Sequence, residues 1–127
     1  MDTTTTIVKY NKKIKLSTYA CSIEIIVTSN IIDEVNKIYK KHKFDEIFAD
    51  VVEGVVVTID LDKYYIVLST KYLTHNTIAH EVYHAAVRIT EDRSISDEEA
   101  QAWLVGHLTE EVYKFIEKKK LNITHGG

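Results

Sequence analysis

Residues 74–87 read THNTIAHEVYHAAV and combine a helical apolar pattern with a paired-histidine motif. Ile78, Val82 and Ala85 fall at positions i, i+4 and i+7. Apolar side chains at this spacing share one face of an α-helix. The pattern therefore predicts a helix over about 74–90 that buries this face against a sheet.

His80 and His84 lie off the apolar face and one helical turn apart, so both rings project from the same side of the predicted helix. Two histidines at this spacing can share a zinc ion, and Glu81 between them can act as a general base beside the metal. Zinc catalysis needs three protein ligands. The motif HEVYH therefore predicts two ligands of a zinc site whose third ligand comes from elsewhere.

Two runs rich in β-branched and aromatic residues precede the motif. Residues 55–59 (VVVTI) and 64–68 (YYIVL) flank the short segment 60–63 (DLDK). This arrangement predicts two antiparallel strands joined by a tight turn.

The N-terminal third predicts a strand followed by a helix. Apolar and other residues alternate over 19–28, which is typical of a strand with one buried face. Ser29 or Asn30 can cap the helix that follows, in which apolar residues recur at helical spacing. Residues 7–16 fit either an edge strand or a short hairpin.

A polar loop over 91–96 follows the motif helix, and helical spacing resumes from Asp97 to Lys119. We expect one α+β domain over residues 1–127, with 1–6 and 121–127 as loose tails. Its core would be a small, mostly antiparallel sheet of three to four strands, on which the motif helix and the last helix pack.

Composition narrows the classes of partner. The chain has 127 residues, 28% of them charged, and a formal net charge of −3. Its basic residues are dispersed, which argues against nucleic acid, and no run approaches the ~18 apolar residues of a membrane span. The N-terminus lacks the pattern of a secretory signal, and the single cysteine, Cys21, cannot form an internal disulfide. We therefore expect a cytoplasmic protein with neither nucleic-acid nor membrane partners.

The third zinc ligand has several candidates. Glu99 is preferred because small residues surround it and the motif helix also carries small residues, which permits a close approach of the two helices. Glu98 is the second choice. A competing interpretation makes Ser96 the cap of the last helix and Glu99 the residue that reaches back to it, in which case Glu99 would not bind metal. The remaining candidates are histidines: His75, His107 and, less plausibly, His42 and His125.

With its downstream glutamate, the HEVYH motif resembles the gluzincin pattern, an HExxH motif followed by a glutamate ligand. It is also similar to small phage-encoded metallopeptidases and, more distantly, to the metallopeptidase domain of regulators that cleave phage repressors. The resemblance covers roughly residues 55–116. It implies a minimal zincin-like core, Zn²⁺ held by His80, His84 and Glu99, and Glu81 as the catalytic base.

The same resemblance implies an edge strand that holds an extended peptide or protein substrate. Larger gluzincins carry an aspartate four residues after the ligand glutamate, where this chain has Trp103. No residue is marked as the oxyanion stabiliser, and Tyr83, His107 and Tyr113 are all candidates.

The expected function is a zinc-dependent hydrolase, best interpreted as a metallopeptidase in which Glu81 activates a zinc-bound water. One alternative is a non-catalytic zincin-fold module that recognises a partner protein. Another is a zinc hydrolase that acts on a non-peptide bond. The sequence does not indicate the substrate or the oligomeric state.

Overall fold

A computed structural model of the chain describes residues 6–124 and has an α+β fold, as predicted. Four strands form one mixed sheet, and three α-helices pack on it. In chain order the elements are β1 (Lys9–Leu16), β2 (Cys21–Thr28), α1 (Ile31–Lys41), β3 (Gly54–Asp60), β4 (Lys63–Ser69), α2 (His75–Asp92) and α3 (Glu98–Lys118).

The strand order in the sheet is β1-β2-β4-β3, so β1 and β3 are the two edges. β1 pairs with β2 and β3 pairs with β4 in antiparallel fashion, whereas β2 and β4 are parallel. The predicted hairpin is confirmed: β3 and β4 are joined at the Asp60↔Lys63 pair by a two-residue turn. The parallel pairing arises because the chain returns to the middle of the sheet only after α1 and β3.

The helices cover both faces of the sheet. α1 buries Val35 and Ile38 against one face, where Val67 is fully buried. α2 and α3 cover the other face and form the larger core. Because both faces are covered, β2 and β4 are buried along most of their length, which explains their nearly continuous apolar sequences.

Polar caps set the helix starts close to where the sequence predicts them. Asn30 accepts a hydrogen bond from Asp33 N, Thr74 from Thr77 N, and Asp97 from Glu99 N. Each cap satisfies a backbone N–H that has no partner within its helix. None of the helices within residues 6–124 is long and apolar enough to cross a membrane.

Some predicted boundaries differ from the structure. β2 begins at Cys21 rather than residue 19, because Ser17–Tyr19 form a 3-10 turn that ends at Ala20 with φ of 52°. Residues 121–124, expected to be loose, contact the core, and Thr124 N donates to the carbonyl of Leu73 at 2.7 Å. Residue 6, also predicted to lie in a tail, has no regular structure, and the remaining tail residues, 1–5 and 125–127, lie outside the described residues.

The pKa values of two buried tyrosines indicate how the stability of the fold changes at alkaline pH. Burial raises the pKa of Tyr65 to about 12, and the carboxylates of Glu24 and Glu34 add to the shift. Burial, together with a hydrogen bond to Asp92, likewise raises the pKa of Tyr64 to about 12. The raised values mean that the folded state keeps protons that the unfolded state loses from about pH 10 upward.

Between pH 10 and 12, we expect each of these tyrosines to remove up to about 1.4 kcal/mol of unfolding free energy per pH unit. Tyr65→Phe should lower stability near pH 8, because it loses the hydrogen bond between the Tyr65 hydroxyl and His42 Nε2. It should also make the alkaline loss shallower than in the wild type. Urea unfolding of both proteins from pH 8 to 11.5 measures this, and equal slopes would contradict the assignment.

Candidate metal and catalytic site

His80 and His84 lie side by side on the outer surface of α2. Both are exposed, their Nε2 atoms are 3.0 Å apart, and their rings meet at 77°. Two nitrogens bound to one tetrahedral zinc at about 2.05 Å each lie about 3.3 Å apart. The pair is therefore spaced within a few tenths of an ångström of a zinc-binding arrangement. Without a metal, one ring nitrogen must carry a proton that the other accepts.

The rotation of α2 about its axis gives the histidines this position. Ile78, Val82 and Ala85 are all 0% exposed and face the sheet, as the sequence predicts. Residues 80 and 84 fall on the opposite side of a helix that is oriented in this way. Burial of the apolar face therefore directs both imidazoles toward solvent.

Glu81 is only 7% exposed although both neighbouring motif histidines are exposed. Its carboxylate makes no hydrogen bond or ion pair within residues 6–124. Burial raises the pKa of Glu81, while His80, His84 and Arg88 act in the opposite direction. A buried carboxylate without a partner beside two ring nitrogens is suited to accept and release a proton.

Gly54, the first residue of β3, lets the edge strand approach Glu81. A Cβ at this position would lie 2.9 Å from Glu81 Cγ, 3.0 Å from Thr77 Cγ2 and 3.2 Å from Leu68 Cδ2. Contacts this short require the neighbours to move. The absence of a side chain at residue 54 therefore allows the carboxylate to be buried between α2 and the edge strand.

An open cleft of about 340 Å³ lies where this strand meets α2. Its lining residues are Val52, Glu53, Gly54, Asn76, Thr77, His80 and Glu81. Glu53 Oε2 accepts a hydrogen bond from the Thr77 hydroxyl at 3.3 Å. A ligand in this cleft would contact one motif histidine and the motif glutamate together.

Arg88 is a further residue beside β3. Its Nη1 donates to the carbonyl oxygen of Val56 at 2.6 Å. Arg88 lies two turns after Glu81 on the same side of α2, so the two side chains follow the same edge of the sheet. The guanidinium thus covers β3 beyond the cleft.

Glu99, the preferred third ligand, lies in the first turn of α3 and is exposed. Gln101 donates to Thr90 Oγ1 at 3.1 Å, which places this turn beside the end of α2. Thr90 is about 9 Å along the helix axis from His84. In agreement with this offset, no three His, Cys, Asp or Glu side chains within residues 6–124 form a group that could hold a metal.

The alternative interpretation of Glu99 as part of a capping box is wrong. Asp97, rather than Ser96, caps α3, and it does so through Glu99 N. The Glu99 carboxylate makes no hydrogen bond or ion pair among residues 6–124, so capping does not occupy it. Small residues bring the helices together only in part, since Ala86 is buried but Ala102 is exposed.

The other candidate ligands are also separate from the pair. Glu98 is exposed at the start of α3. His107 stacks on Trp103 at a centroid distance of 5.2 Å, and His75 Nδ1 lies 2.6 Å from the Tyr113 hydroxyl. His42 contacts Tyr65, and His125 lies outside the described residues.

Two aromatic residues on these helices are largely exposed: Trp103 by 58% and Tyr83, a candidate oxyanion stabiliser, by 59%. Tyr113, another candidate, contacts His75 instead of the motif histidines.

Sequence reasoning did not identify Glu53, Gly54 or Arg88 as parts of this region. A usable signal existed for Gly54, since it is a lone glycine directly before a β-branched run, a position that often marks a close backbone approach. Glu53 and Arg88 have no comparable local signal. Their roles depend on how β3 and α2 meet in three dimensions.

Gly54→Ala should destabilise the fold by roughly 1–3 kcal/mol, because the added methyl group overpacks against Glu81 and Thr77. Gly106→Ala is the matched control: a Cβ there meets nothing within 4 Å. Because Gly106 is inside α3, this change should stabilise the protein by up to about 1 kcal/mol. Chemical denaturation gives both values.

A double-mutant cycle tests whether the destabilisation caused by Gly54→Ala arises from contact with Glu81. In a Glu81→Ala background the nearest clashing atom is absent, so the cost of Gly54→Ala should fall markedly. An undiminished cost would show that the contact with Glu81 is unimportant.

We compared the chain with protein-family models, with curated proteins and with solved structures, and none of the three comparisons gives a match. The chain's own residues, above all the His80–His84 pair and Glu81, are thus the basis for assigning a function.

Proposed function

We propose that this protein is a zinc-dependent hydrolase, specifically a metallopeptidase. The observation that carries the proposal is the exposed His80–His84 pair, with Nε2 atoms 3.0 Å apart, beside the buried carboxylate of Glu81. Two imidazoles so close together, both directed to solvent, are an arrangement typical of metal ligands. A merely structural histidine pair would not need a buried carboxylate without a partner next to it.

In the proposed site, His80 and His84 would hold the metal, since their Nε2 atoms lie together at the surface of α2. Glu99 is proposed as the third ligand because it is exposed and its carboxylate has no partner among the described residues, although the structure does not group it with the two histidines. Zinc supplies a Lewis acid that polarises a carbonyl oxygen and makes water nucleophilic near neutral pH. Glu81 takes a proton from the attacking water at its carboxylate and returns it to the leaving amine.

A peptide substrate is favoured by the position of β3 at the edge of the sheet. Ser69 N donates to Glu53 O, so the odd-numbered residues of β3 pair with β4. The backbone groups of Gly54, Val56 and Thr58 then point away from the sheet. An extended peptide can pair with such an edge and lie across the cleft that contains Glu81.

A second candidate is a non-catalytic module that recognises a partner protein. It is favoured by the lack of an assembled three-residue metal group within residues 6–124. The two functions differ in whether a bound metal keeps an open coordination position. Competition by a hydroxamate for the zinc-loaded protein separates them, because the module would not bind it at the metal.

The metal content of variants tests the site. We expect about one zinc per chain in the wild type and little in His84→Ala, because two remaining ligands do not hold zinc tightly. His42→Ala is the control, since His42 contacts Tyr65 rather than the pair. Equal zinc in all three proteins would eliminate the proposed site.

Glu99→Ala should also lose zinc, whereas Glu98→Ala, which removes a neighbouring exposed carboxylate, should keep it. The same metal analysis measures both variants. If zinc is retained in Glu99→Ala and lost in Glu98→Ala or His107→Ala, the third ligand is the other residue.

Glu81→Gln should keep zinc but lose peptide cleavage by at least about a hundredfold, because the amide cannot accept the proton. Hydrolysis of a peptide mixture, followed by mass spectrometry, measures turnover, and metal analysis of the same samples is the control. Full activity in Glu81→Gln would refute the role of Glu81.

A further inference from the structure

The segment 44–53, which leads into β3, has an unusual surface. It carries four acidic residues and no lysine or arginine: Asp45, Glu46, Asp50 and Glu53. Three large apolar side chains beside them are also exposed: Ile47 by 84%, Val51 by 93% and Val52 by 36%. Apolar side chains at this level of exposure next to a cleft are typical of a surface that binds a partner. We call residues 44–53 the acidic segment.

Asn36 of α1 fixes the middle of the acidic segment. Its Nδ2 donates to Phe48 O at 2.9 Å, and its Oδ1 accepts from Phe48 N at 2.8 Å. These two bonds satisfy both backbone polar groups of Phe48, whose side chain packs against the α1 core. The exposed side chains on either side of Phe48 are therefore presented from an anchored backbone.

The charge of the acidic segment is least compensated at the end near the cleft. None of its four carboxylates is in an ion pair within the described residues. Asp45 and Glu46 share a cavity with Lys40 and Lys43, which reduces their local effect. Asp50 shares no such cavity with a lysine, and Glu53 lines the cleft together with Glu81. Arg88, which donates to Val56 O, is the cation on the far side of the cleft. The carboxylates of Asp50, Glu53 and Glu81 therefore outnumber the cations where the segment enters β3.

The free edge of β3 is open at its start and covered further along. Gly54 has no side chain, and its backbone N–H and C=O point away from β4. At Val56, in contrast, the carbonyl already accepts from Arg88. A peptide that pairs with this edge is thus directed to the Gly54 end, next to the acidic segment and the buried, unpartnered carboxylate of Glu81.

We propose that the acidic segment and the Gly54 end of β3 bind an extended polypeptide that contains both basic residues, lysine or arginine, and apolar residues. Such a peptide can pair with the Gly54 end of β3 through its backbone, while its cations meet the exposed carboxylates of the acidic segment and its apolar side chains cover Val51 and Val52. Cleavage of this polypeptide rests on the proposed function, whereas its binding does not. Nucleic acid is disfavoured on this surface because its phosphates would meet carboxylates.

Matched peptides test the proposal on the full chain, with and without added zinc. All proteins carry Glu81→Gln, so that binding is measured without turnover. One capped heptapeptide alternates arginine and valine, and its partner has citrulline, a neutral isostere, in place of arginine. Calorimetry compares the Asp50→Asn/Glu53→Gln protein with the Glu91→Gln/Glu117→Gln protein, a control that removes the same charge from exposed positions of α2 and α3.

The arginine peptide should bind roughly fivefold to tenfold tighter than the citrulline peptide, as expected for two solvent-exposed ion pairs. The ratio should fall to about one in Asp50→Asn/Glu53→Gln and persist in the control. Binding should also slow hydrogen exchange at the Gly54 amide. Equal affinities, no binding of either peptide up to millimolar concentration, or equal losses in both double variants would overturn the proposal.

The zinc content of His84→Ala is measured separately, so the two proposals fail independently. If the protein binds no zinc but still prefers the arginine peptide, the peptide-binding proposal is supported and the hydrolase proposal is refuted. Stoichiometric zinc in a protein that binds both peptides equally would support the metal site and refute the proposed peptide surface.

Discussion

The contact between one face of α2 and the sheet determines the positions of the three motif residues His80, Glu81 and His84. Ile78, Val82, Ala85 and Ile89 are all inaccessible to solvent. A helix held along four successive turns cannot rotate without exposing these side chains, each worth roughly 1–3 kcal/mol of burial. Because rotation is fixed, His80 and His84 point to solvent, while Glu81 points along the sheet toward β3.

The edge strand β3 and the helix α2 together bury Glu81, the proposed catalytic base. The carboxylate is buried by Gly54 on one side and by its own helix on the other, and Thr77 and Glu53 contact each other next to it. Burial of a carboxylate without a hydrogen-bond partner costs free energy. The rest of the core must offset this cost, which fits a group kept for chemistry rather than for stability.

Features that depend on local sequence were predictable. The capping residues, the apolar spacing of α2 and α3, the β3–β4 hairpin and the adjacency of His80 and His84 all follow from neighbours along the chain. The parallel pairing of β2 and β4 does not, because nothing within either strand specifies a partner more than thirty residues away. The same limit applies to Glu99, whose distance from the histidines depends on the register between α2 and α3. Trp103 kept helical spacing with the core residues but lies at the edge of the apolar face, where it is exposed.

The hydrogen bond from Arg88 to Val56 also bears on the solubility of the protein. β3 contains the run VVVTI at an open sheet edge, and such edges pair readily with copies of themselves and begin aggregation. Arg88 donates a hydrogen bond to the carbonyl oxygen of Val56, in the middle of this run, and brings a positive charge next to it. A second β3 strand would have to displace the guanidinium before a continuous ladder could form. One side chain of the motif helix therefore keeps the edge accessible to a short segment while hindering the growth of intermolecular sheets.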